Sequence, residues 1–175
     1  NNFKKKFNIS QEFCFDNYLD LINNKEIDIV YISLPHSLHY KWVTECIKNY
    51  KNILVEKPAV ISVGDVSDIK ERLKSKKIFF AESFLYRYHP QTQVVIDIIK
   101  NEDVGELLSM SSFFGSDIIT KKKFFGLIKK IKISKNNRLF NKELGGGAIW
   151  DIGCYPTSMS LLIAGLKSKI NGNIE

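Results

Sequence analysis

Apolar residues in the first half of the chain form three short continuous runs, at positions 27–34, 53–55 and 78–81. Between the runs, apolar residues recur at helical spacing: Leu38, Trp42, Val43, Cys46 and Ile47 in the first interval, and Val66, Ile69 and Leu73 in the second. Continuous apolar strands that alternate with such helices predict a parallel sheet covered on both faces. The pattern therefore predicts an α/β fold, half of a doubly wound domain.

Polar residues predict where these helices begin. Asp16 is expected to cap a short helix through residues 21–22, and Ser37 to cap the helix after the first strand. Ser62 followed by Asp65 resembles a capping box, with Asp in place of the usual Glu.

The pattern changes near residue 89, where we expect a second domain to start. A helical stripe at 94–99 is followed by residues 107–114, whose alternating serines predict a longer strand. Residues 116–144 are rich in lysine and lack a clean period, which predicts a long irregular excursion. A last helix is predicted over 148–166, with Pro156 acceptable only if the regular helix begins close to it.

Composition and charge narrow the class of protein. With 175 residues, 44% hydrophobic and 26% charged, the chain suits one full globular domain or two small ones. The difference between 26 Lys+Arg and 19 Asp+Glu gives a net charge of +7, which invites a nucleic-acid interpretation. The sequence has no zinc-ligand spacing, no RNP-type strand motif and no Arg-rich helix, so we expect neither a nucleic-acid partner nor a metal site.

Cysteine content and hydropathy indicate the compartment. Three cysteines without short spacing argue against a disulfide framework and favour reduced thiols in the cytoplasm. No apolar run approaches the roughly 18 residues that span a bilayer, so no membrane partner is expected.

Candidate ligand-binding residues follow the first two predicted strands. They are Leu34, Pro35, His36 and His39 after the first strand, and Glu56 and Lys57 after the second. Ligands bind at the carboxyl ends of strands in open α/β sheets, and a helix N-terminus there offers free N–H groups to an anion such as a pyrophosphate. The proline after Lys57 restricts that residue to an extended conformation, which fixes the direction of its side chain. Each segment taken alone is also consistent with an ordinary turn whose polar side chains are solvated.

A third candidate segment follows three consecutive glycines at 145–147. If this stretch is helical, Asp151 and Tyr155 lie on one face. A charged Asp among apolar residues needs a partner, which makes Asp151 a candidate site residue. The simpler alternative is an N-terminal cap at Asp151 beside a packed tyrosine.

Segments 29–39, 55–58, 81–91 and 145–155 occur in the order and approximate spacing of the Gfo/Idh/MocA oxidoreductases, which the chain resembles from about residue 13 onward. The resemblance implies that residues 1–88 are the C-terminal part of a dinucleotide-binding Rossmann domain. Residues 89–175 would be the first part of a substrate and oligomerisation α+β domain with an open, mostly antiparallel sheet. Such proteins transfer a hydride between NAD(P) and a hydroxyl-bearing carbon of a sugar, cyclitol or trans-diol, and commonly form homo-oligomers.

The resemblance also implies roles for single residues. Lys57 matches the lysine of the Glu-Lys-Pro motif, and Asp151 matches the aspartate of the Asp-x-Gly motif. Tyr155 stands where many members have histidine. A tyrosine there resembles the branch that contains dihydrodiol dehydrogenase, the NADP-dependent xylose dehydrogenases and glucose-fructose oxidoreductase, and this resemblance favours NADP slightly over NAD. Tyr155 would be the general acid/base on the substrate hydroxyl, Lys57 would favour its phenolate and polarise the oxygen, and Asp151 would orient Lys57 or a hydroxyl. The expected cofactor-binding residues are Leu34, Pro35, His36, His39, Glu56, Lys57 and Arg87.

Two departures from the family pattern shape the remaining expectations. His36 replaces the usual Asn after the strand-end proline, and the sequence contains no Gly-x-Gly-x-x-Gly turn. We therefore expect a fragment of a longer dehydrogenase that is poorly stable and inactive alone, because a missing central strand leaves apolar strand edges exposed. The alternatives are an inositol-type or nucleotide-sugar dehydrogenase, a non-catalytic dinucleotide-binding sensor, and a degenerate remnant of the fold.

Overall fold

The computed structural model describes residues 2–122, 128–131, 134 and 137–165. The chain folds into two compact units, Asn1–Ser83 and Phe84–Glu175. The sequence pattern alone predicts a domain boundary near residue 89, immediately before a helix that belongs to the second unit.

The first unit contains a parallel three-stranded sheet of order β1-β2-β3. Its elements are α1 (Asn2–Phe7), a 3₁₀ turn (Gln11–Phe13), α2 (Tyr18–Asn23), β1 (Ile29–Ile32), α3 (His36–Lys48), β2 (Asn52–Glu56), α4 (Val63–Lys74) and β3 (Phe80–Ser83). The register pairs Ile32 with Val55 and Glu56 with Ser83. The predicted alternation of strands and helices around a parallel sheet is confirmed.

Alternate strand positions build the core of the first unit. Ile32, Ile53 and Val55 are buried together with residues of α3 such as Val43, and with others from α2 and α4. On the opposite face of β1, Ile29 and Tyr31 are 51% and 54% exposed. The expectation that both faces are covered is therefore wrong at β1 in the described part of the chain, because an apolar run specifies what can be buried but not which element covers it.

Two of the predicted helix caps are displaced, one by a single residue and the other by two residues. α2 begins after Asn17, whose side chain accepts a hydrogen bond from the Leu19 amide at 2.9 Å, so Asn17 and not Asp16 is the cap. α3 begins at His36, with Pro35 and not Ser37 at the N-cap position. Ser62 precedes α4 as predicted, but its side chain makes no capping hydrogen bond.

The second unit has fewer long elements. They are a 3₁₀ turn (Leu85–Tyr88), α5 (Pro90–Lys100), the antiparallel strands β4 (Thr120–Lys122) and β5 (Ile128–Lys130), a 3₁₀ turn (Lys142–Leu144), a π-helical turn (Ile149–Gly153) and α6 (Cys154–Ala164). His89 caps α5, since its ring Nδ1 accepts from the Gln91 amide at 3.2 Å. Pro90 follows at the first helical position, where a missing N–H costs nothing.

Two expectations for the second unit change. Residues 107–114 form no strand, because an alternating pattern becomes a strand only when a neighbouring strand pairs with it, and the described residues supply none here. Within the predicted irregular stretch 116–144, β4 and β5 pair as a short ribbon. The regular helix begins at Cys154, close to Pro156 as the sequence requires, while Leu166 of the predicted helix lies outside the described residues.

Candidate functional site

The carboxyl ends of the three parallel strands meet at one edge of the sheet in the first unit. Leu34, Pro35 and His36 follow β1 there, Glu56 is the last residue of β2, and Lys57 follows it. The 13-residue helix α3 starts at His36, so its first amides also lie at this edge. The topology thus places these sequence-predicted residues where open α/β sheets bind ligands.

Three neighbouring elements hold the turn that carries Lys57. The Tyr31 hydroxyl donates to the Glu56 carboxylate, His39 Nδ1 lies 2.9 Å from the Pro58 carbonyl oxygen, and the Ala59 amide donates to Glu82 Oε1 at 2.7 Å. These contacts come from β1, α3 and β3 in turn. Lys57 is half-buried and its peptide bond to Pro58 is cis. The backbone on both sides of Lys57 is therefore fixed by the rest of the unit.

The contact between Tyr31 and Glu56 raises the pKa of the Tyr31 phenol. Its hydrogen bond to the Glu56 carboxylate, together with partial burial and the negative charge of that carboxylate, raises the pKa of Tyr31 to about 12. The phenol therefore keeps its proton at neutral pH and remains a donor to Glu56.

His39 is fully buried at 0% exposure. Its Nδ1 faces the Pro58 carbonyl oxygen, and its Nε2 lies 2.8 Å from the Leu34 carbonyl oxygen. His36 is also buried, with its ring edge-on to that of His39 at 5.6 Å. A buried ring with both nitrogens on backbone carbonyls is placed to support the two turns, not to touch a ligand, so the structure does not favour the predicted direct cofactor contact of His39.

Tyr155 in the second unit belongs to an aromatic cluster. Its ring centroid lies 5.6 Å from that of Phe84, 6.4 Å from that of Tyr86 and 5.0 Å from that of Phe114. The Tyr86 hydroxyl is hydrogen-bonded to Ser158 Oγ on α6 at 2.7 Å, which ties the Leu85–Tyr88 turn to the helix that bears Tyr155. The aromatic neighbours pack against the Tyr155 ring, which is half-buried.

Asp151 lies in the π-helical turn that leads into α6. Its amide donates to the Gly147 carbonyl oxygen at 3.0 Å, and its carboxylate is 3.7 Å from Arg138 Nη1. The side chain of Asp151 is 22% exposed. Tyr155 lies in the first turn of α6, so the four-residue spacing from Asp151 to Tyr155 crosses the junction between a π-turn and a regular helix.

The glycine turn before this helix is a close backbone approach. The Gly146 amide donates to the Asn141 carbonyl oxygen at 2.9 Å, and the Gly147 amide to that of Leu139 at 2.9 Å. A Cβ atom on Gly146 would lie 2.5 Å from the Arg138 carbonyl oxygen. Only glycine fits at position 146, and the turn thereby sets the start of the segment that carries Asp151.

The structure groups the predicted site residues into two sets. Leu34, Pro35, His36, His39, Glu56 and Lys57 lie at the strand ends of the first unit, whereas Arg87, Asp151 and Tyr155 lie in the second. Arg87 is exposed on the Leu85–Tyr88 turn. The convergence of Lys57, Asp151 and Tyr155 on a single crevice stays a prediction.

Sequence reasoning missed several supporting residues. Glu82 and Tyr31 hold the Lys57 turn, and Arg138 lies beside Asp151. Glu82 could have been found, since it sits near the end of the third predicted strand, at the edge that collects the other candidates. Arg138 carries no such signal, because it lies in a stretch without periodicity.

The residues at the strand-end edge fit part of a dinucleotide. The first amides of α3 are donors for an anionic group, and the Lys57 ammonium is a cation at the same edge. The chain contains no Gly-x-Gly-x-x-Gly turn, the usual cradle for the pyrophosphate of a dinucleotide.

Comparison with known proteins agrees with this geometry. The sequence model of the Gfo/Idh/MocA family, described as an oxidoreductase family with an NAD-binding Rossmann fold, matches residues 1–84. The match covers the whole of the first unit.

Curated proteins that are similar to this chain include sugar and diol oxidoreductases. A trans-1,2-dihydrobenzene-1,2-diol dehydrogenase from Xenopus tropicalis is 29% identical over 154 residues, which are 88% of this chain and 42% of that protein. A dTDP-3,4-didehydro-2,6-dideoxy-alpha-D-glucose 3-reductase from Saccharopolyspora spinosa is 28% identical over 139 residues, which are 79% of this chain and 38% of that protein. The chain thus spans about two-fifths of the length of these relatives.

Solved structures show the same fold. A 3-ketoreductase from Actinomadura kijaniata, solved with TDP-benzene and NADP, matches with a TM-score of 0.53 and 25% identity over 60% of this chain and 32% of that one. An oxidoreductase from Bacteroides fragilis matches with a TM-score of 0.67 over 94% of this chain and 41% of that one, and at 17% identity it shows the fold alone.

Membrane-spanning helices and metal-binding clusters are both absent from the described part of the chain. No helix there has the length and apolar character needed to cross a membrane. The same residues contain no group of three or more His, Cys, Asp or Glu side chains that could hold a metal ion. None of the three cysteines, which all lie among the described residues, forms a disulfide.

Proposed function

We propose that the protein containing this chain is an NAD(P)-dependent oxidoreductase that moves a hydride between nicotinamide and a hydroxyl-bearing carbon of a sugar, cyclitol or trans-diol. The observation that carries the proposal is the Lys57 turn, which is fastened from three sides at the ligand-binding edge of a Gfo/Idh/MocA unit. NADP is favoured over NAD, because a xylose dehydrogenase relative is NADP-dependent and the related 3-ketoreductase structure contains NADP.

We propose complementary roles for three side chains in this reaction. When bound, the nicotinamide supplies or accepts the hydride. Tyr155 Oη exchanges the proton of the substrate hydroxyl, and its aromatic neighbours keep bulk water from competing for that proton. The Lys57 ammonium donates a hydrogen bond to the same oxygen and stabilises its negative charge, while the Asp151 carboxylate orients Lys57 or a second hydroxyl.

We further propose a compartment, an oligomeric state and excluded partners for the protein. The protein acts in the cytoplasm, which the absence of disulfides among its cysteines supports. It forms a homo-oligomer, as relatives of this family commonly do. It uses neither nucleic acid nor a membrane as a partner, since the basic residues are mostly lysines spread along the whole chain.

A substitution at Tyr155 tests the proposal. The protein that contains this chain is purified, its binding of NADPH and NADH is titrated, and turnover is measured with a panel of aldoses, inositols, nucleotide sugars and trans-diols. Tyr155→Phe removes one hydroxyl and should lower kcat about 100-fold, since general acid/base catalysis contributes at least that much. The control is Tyr50→Phe, which removes a hydroxyl from an exposed tyrosine. Tyr50 precedes β2, whereas Lys57 follows that strand.

Three outcomes would contradict the proposal in different ways. A kcat for Tyr155→Phe within about threefold of the unaltered protein would exclude Tyr155 as the acid/base. Dinucleotide binding without turnover of any substrate would indicate the sensor alternative. Absence of dinucleotide binding would indicate a degenerate remnant.

A further inference from the structure

The His39 side chain bridges the turns that follow β1 and β2. Leu34, whose carbonyl oxygen faces Nε2 at 2.8 Å, precedes the N-cap of α3. Pro58, whose carbonyl oxygen faces Nδ1 at 2.9 Å, directly follows Lys57. The ring therefore spans the gap between the two loops at the ligand-binding edge.

The bridge acts on the backbone next to Lys57. Pro58 is buried and has no N–H, so its carbonyl oxygen is its sole main-chain hydrogen-bonding group. The next amide, that of Ala59, donates to Glu82 on the far side. Because a buried carbonyl without a donor is unfavourable, loss of the His39 contact drives the turn to rearrange, and Lys57 moves with it.

A second bridge of the same type lies at the opposite end of the sheet. Lys51, 8% exposed, donates from Nζ to the carbonyl oxygens of Asn24 at 2.6 Å and Ile27 at 2.7 Å. It precedes β2, whereas Lys57 follows that strand. Lys51 is therefore a matched structural bridge that is remote from the proposed site.

We propose that His39 is a positioning residue for Lys57, acting through an Nδ1–H donor to the Pro58 carbonyl oxygen, with Nε2 beside the Leu34 carbonyl oxygen in the turn after β1. The effect on catalysis rests on the proposed function, but the effect on the turn does not. The His39 side chain itself touches neither substrate nor cofactor.

Two amide substitutions separate the two contacts. The nitrogen of Asn occupies about the place of Nδ1, so His39→Asn keeps the contact to Pro58 and loses that to Leu34. The nitrogen of Gln occupies about the place of Nε2, so His39→Gln does the reverse. Lys51→Met is the matched control, because it removes a buried two-carbonyl bridge elsewhere in the same unit.

Backbone spectra and kinetics are then compared. His39→Gln should shift the ¹H–¹⁵N signals of Lys57 and Ala59 and lower kcat about tenfold or more, since a displacement near 1 Å can cost that much. The KM for substrate should change less than kcat. His39→Asn should keep kcat within about threefold of the unaltered protein. Lys51→Met should lower the Tm and leave kcat and the signals of Lys57 and Ala59 unchanged.

Other results would overturn the proposal. Equal losses in the Asn and Gln variants, or equal signal shifts in Lys51→Met, would reduce His39 to a general stabilising role. If a variant does not fold, the ring ¹⁵N spectrum of the unaltered protein decides, because an unprotonated Nδ1 on His39 excludes the proposed donor. Absence of turnover in the unaltered protein would refute the proposed function alone, while the amide signals would still test the positioning.

Discussion

Removing the Glu82 carboxylate should weaken the first unit by a predictable amount. Glu82 Oε1 accepts the Ala59 amide at 2.7 Å in a partly buried contact. A hydrogen bond to a charged group contributes about 1.5–3 kcal/mol, and partial access of water to the freed amide offsets some of it. We therefore expect Glu82→Ala to lower the free energy of unfolding by about 1–2 kcal/mol.

Urea denaturation followed by tryptophan fluorescence measures this change. Trp42 packs edge-on against Tyr18 at 4.9 Å in the first unit, so a Trp150→Phe background makes the signal specific for that unit. With a urea dependence of about 1 kcal/mol per M, the midpoint should fall by roughly 1–2 M at an unchanged slope.

The control for this prediction is Glu71→Ala. Glu71 pairs with Lys74 at 2.5 Å on the exposed surface of α4, where such pairs contribute about 0–1 kcal/mol. Its midpoint should hardly move. A Glu82→Ala midpoint equal to that of Glu71→Ala would refute the claim that Glu82 fastens the Lys57 turn.

Two further predictions concern other contacts. In a spectrophotometric titration, the difference between the unaltered chain and Tyr31→Phe should show one phenol ionising near pH 12, because the hydrogen bond to Glu56 raises the pKa of Tyr31 from 10.0 to about 12. Below pH 10 the Tyr31–Glu56 contact contributes its full stabilisation, which is lost as the pH rises to 12. If Tyr31→Phe lost the same amount of stability over this pH range, the loss could not come from Tyr31. Gly146→Ala should destabilise the second unit by about 1–3 kcal/mol in thermal unfolding, because the new Cβ would lie 2.5 Å from the Arg138 carbonyl oxygen. Gly64→Ala, where the nearest atom is 3.5 Å away, should be neutral or stabilising by up to about 1 kcal/mol, and equal losses in both variants would refute the steric argument.

The first unit was the more predictable half of the chain. Its three apolar runs became β1, β2 and β3, and the stripe containing Val43 and Ile47 became the buried side of α3. Period and turn residues suffice there because each element follows from local sequence. The capping of α2 by Asn17 and not by Asp16 shows the limit, since two adjacent capping residues differ only in which one reaches the free amide.

The second unit was less predictable because its elements depend on distant partners. Residues 107–114 alternate as a strand does, yet no strand pairs with them in the described part of the chain. The π-turn before Tyr155 also carries no sequence signal that differs from an α-helix.

The sequence by itself determined which segments are strands and helices in the first unit and which polar residues follow the strands, because hydrophobic period and turn chemistry are local. Only the tertiary structure decided what those polar residues do. His39 and Lys57 are both strand-end residues in sequence, but the fold buries His39 between two carbonyls and leaves Lys57 half-buried on the turn that His39 supports. Burial and hydrogen-bond partners depend on residues far apart along the chain, and neither period nor spacing records them.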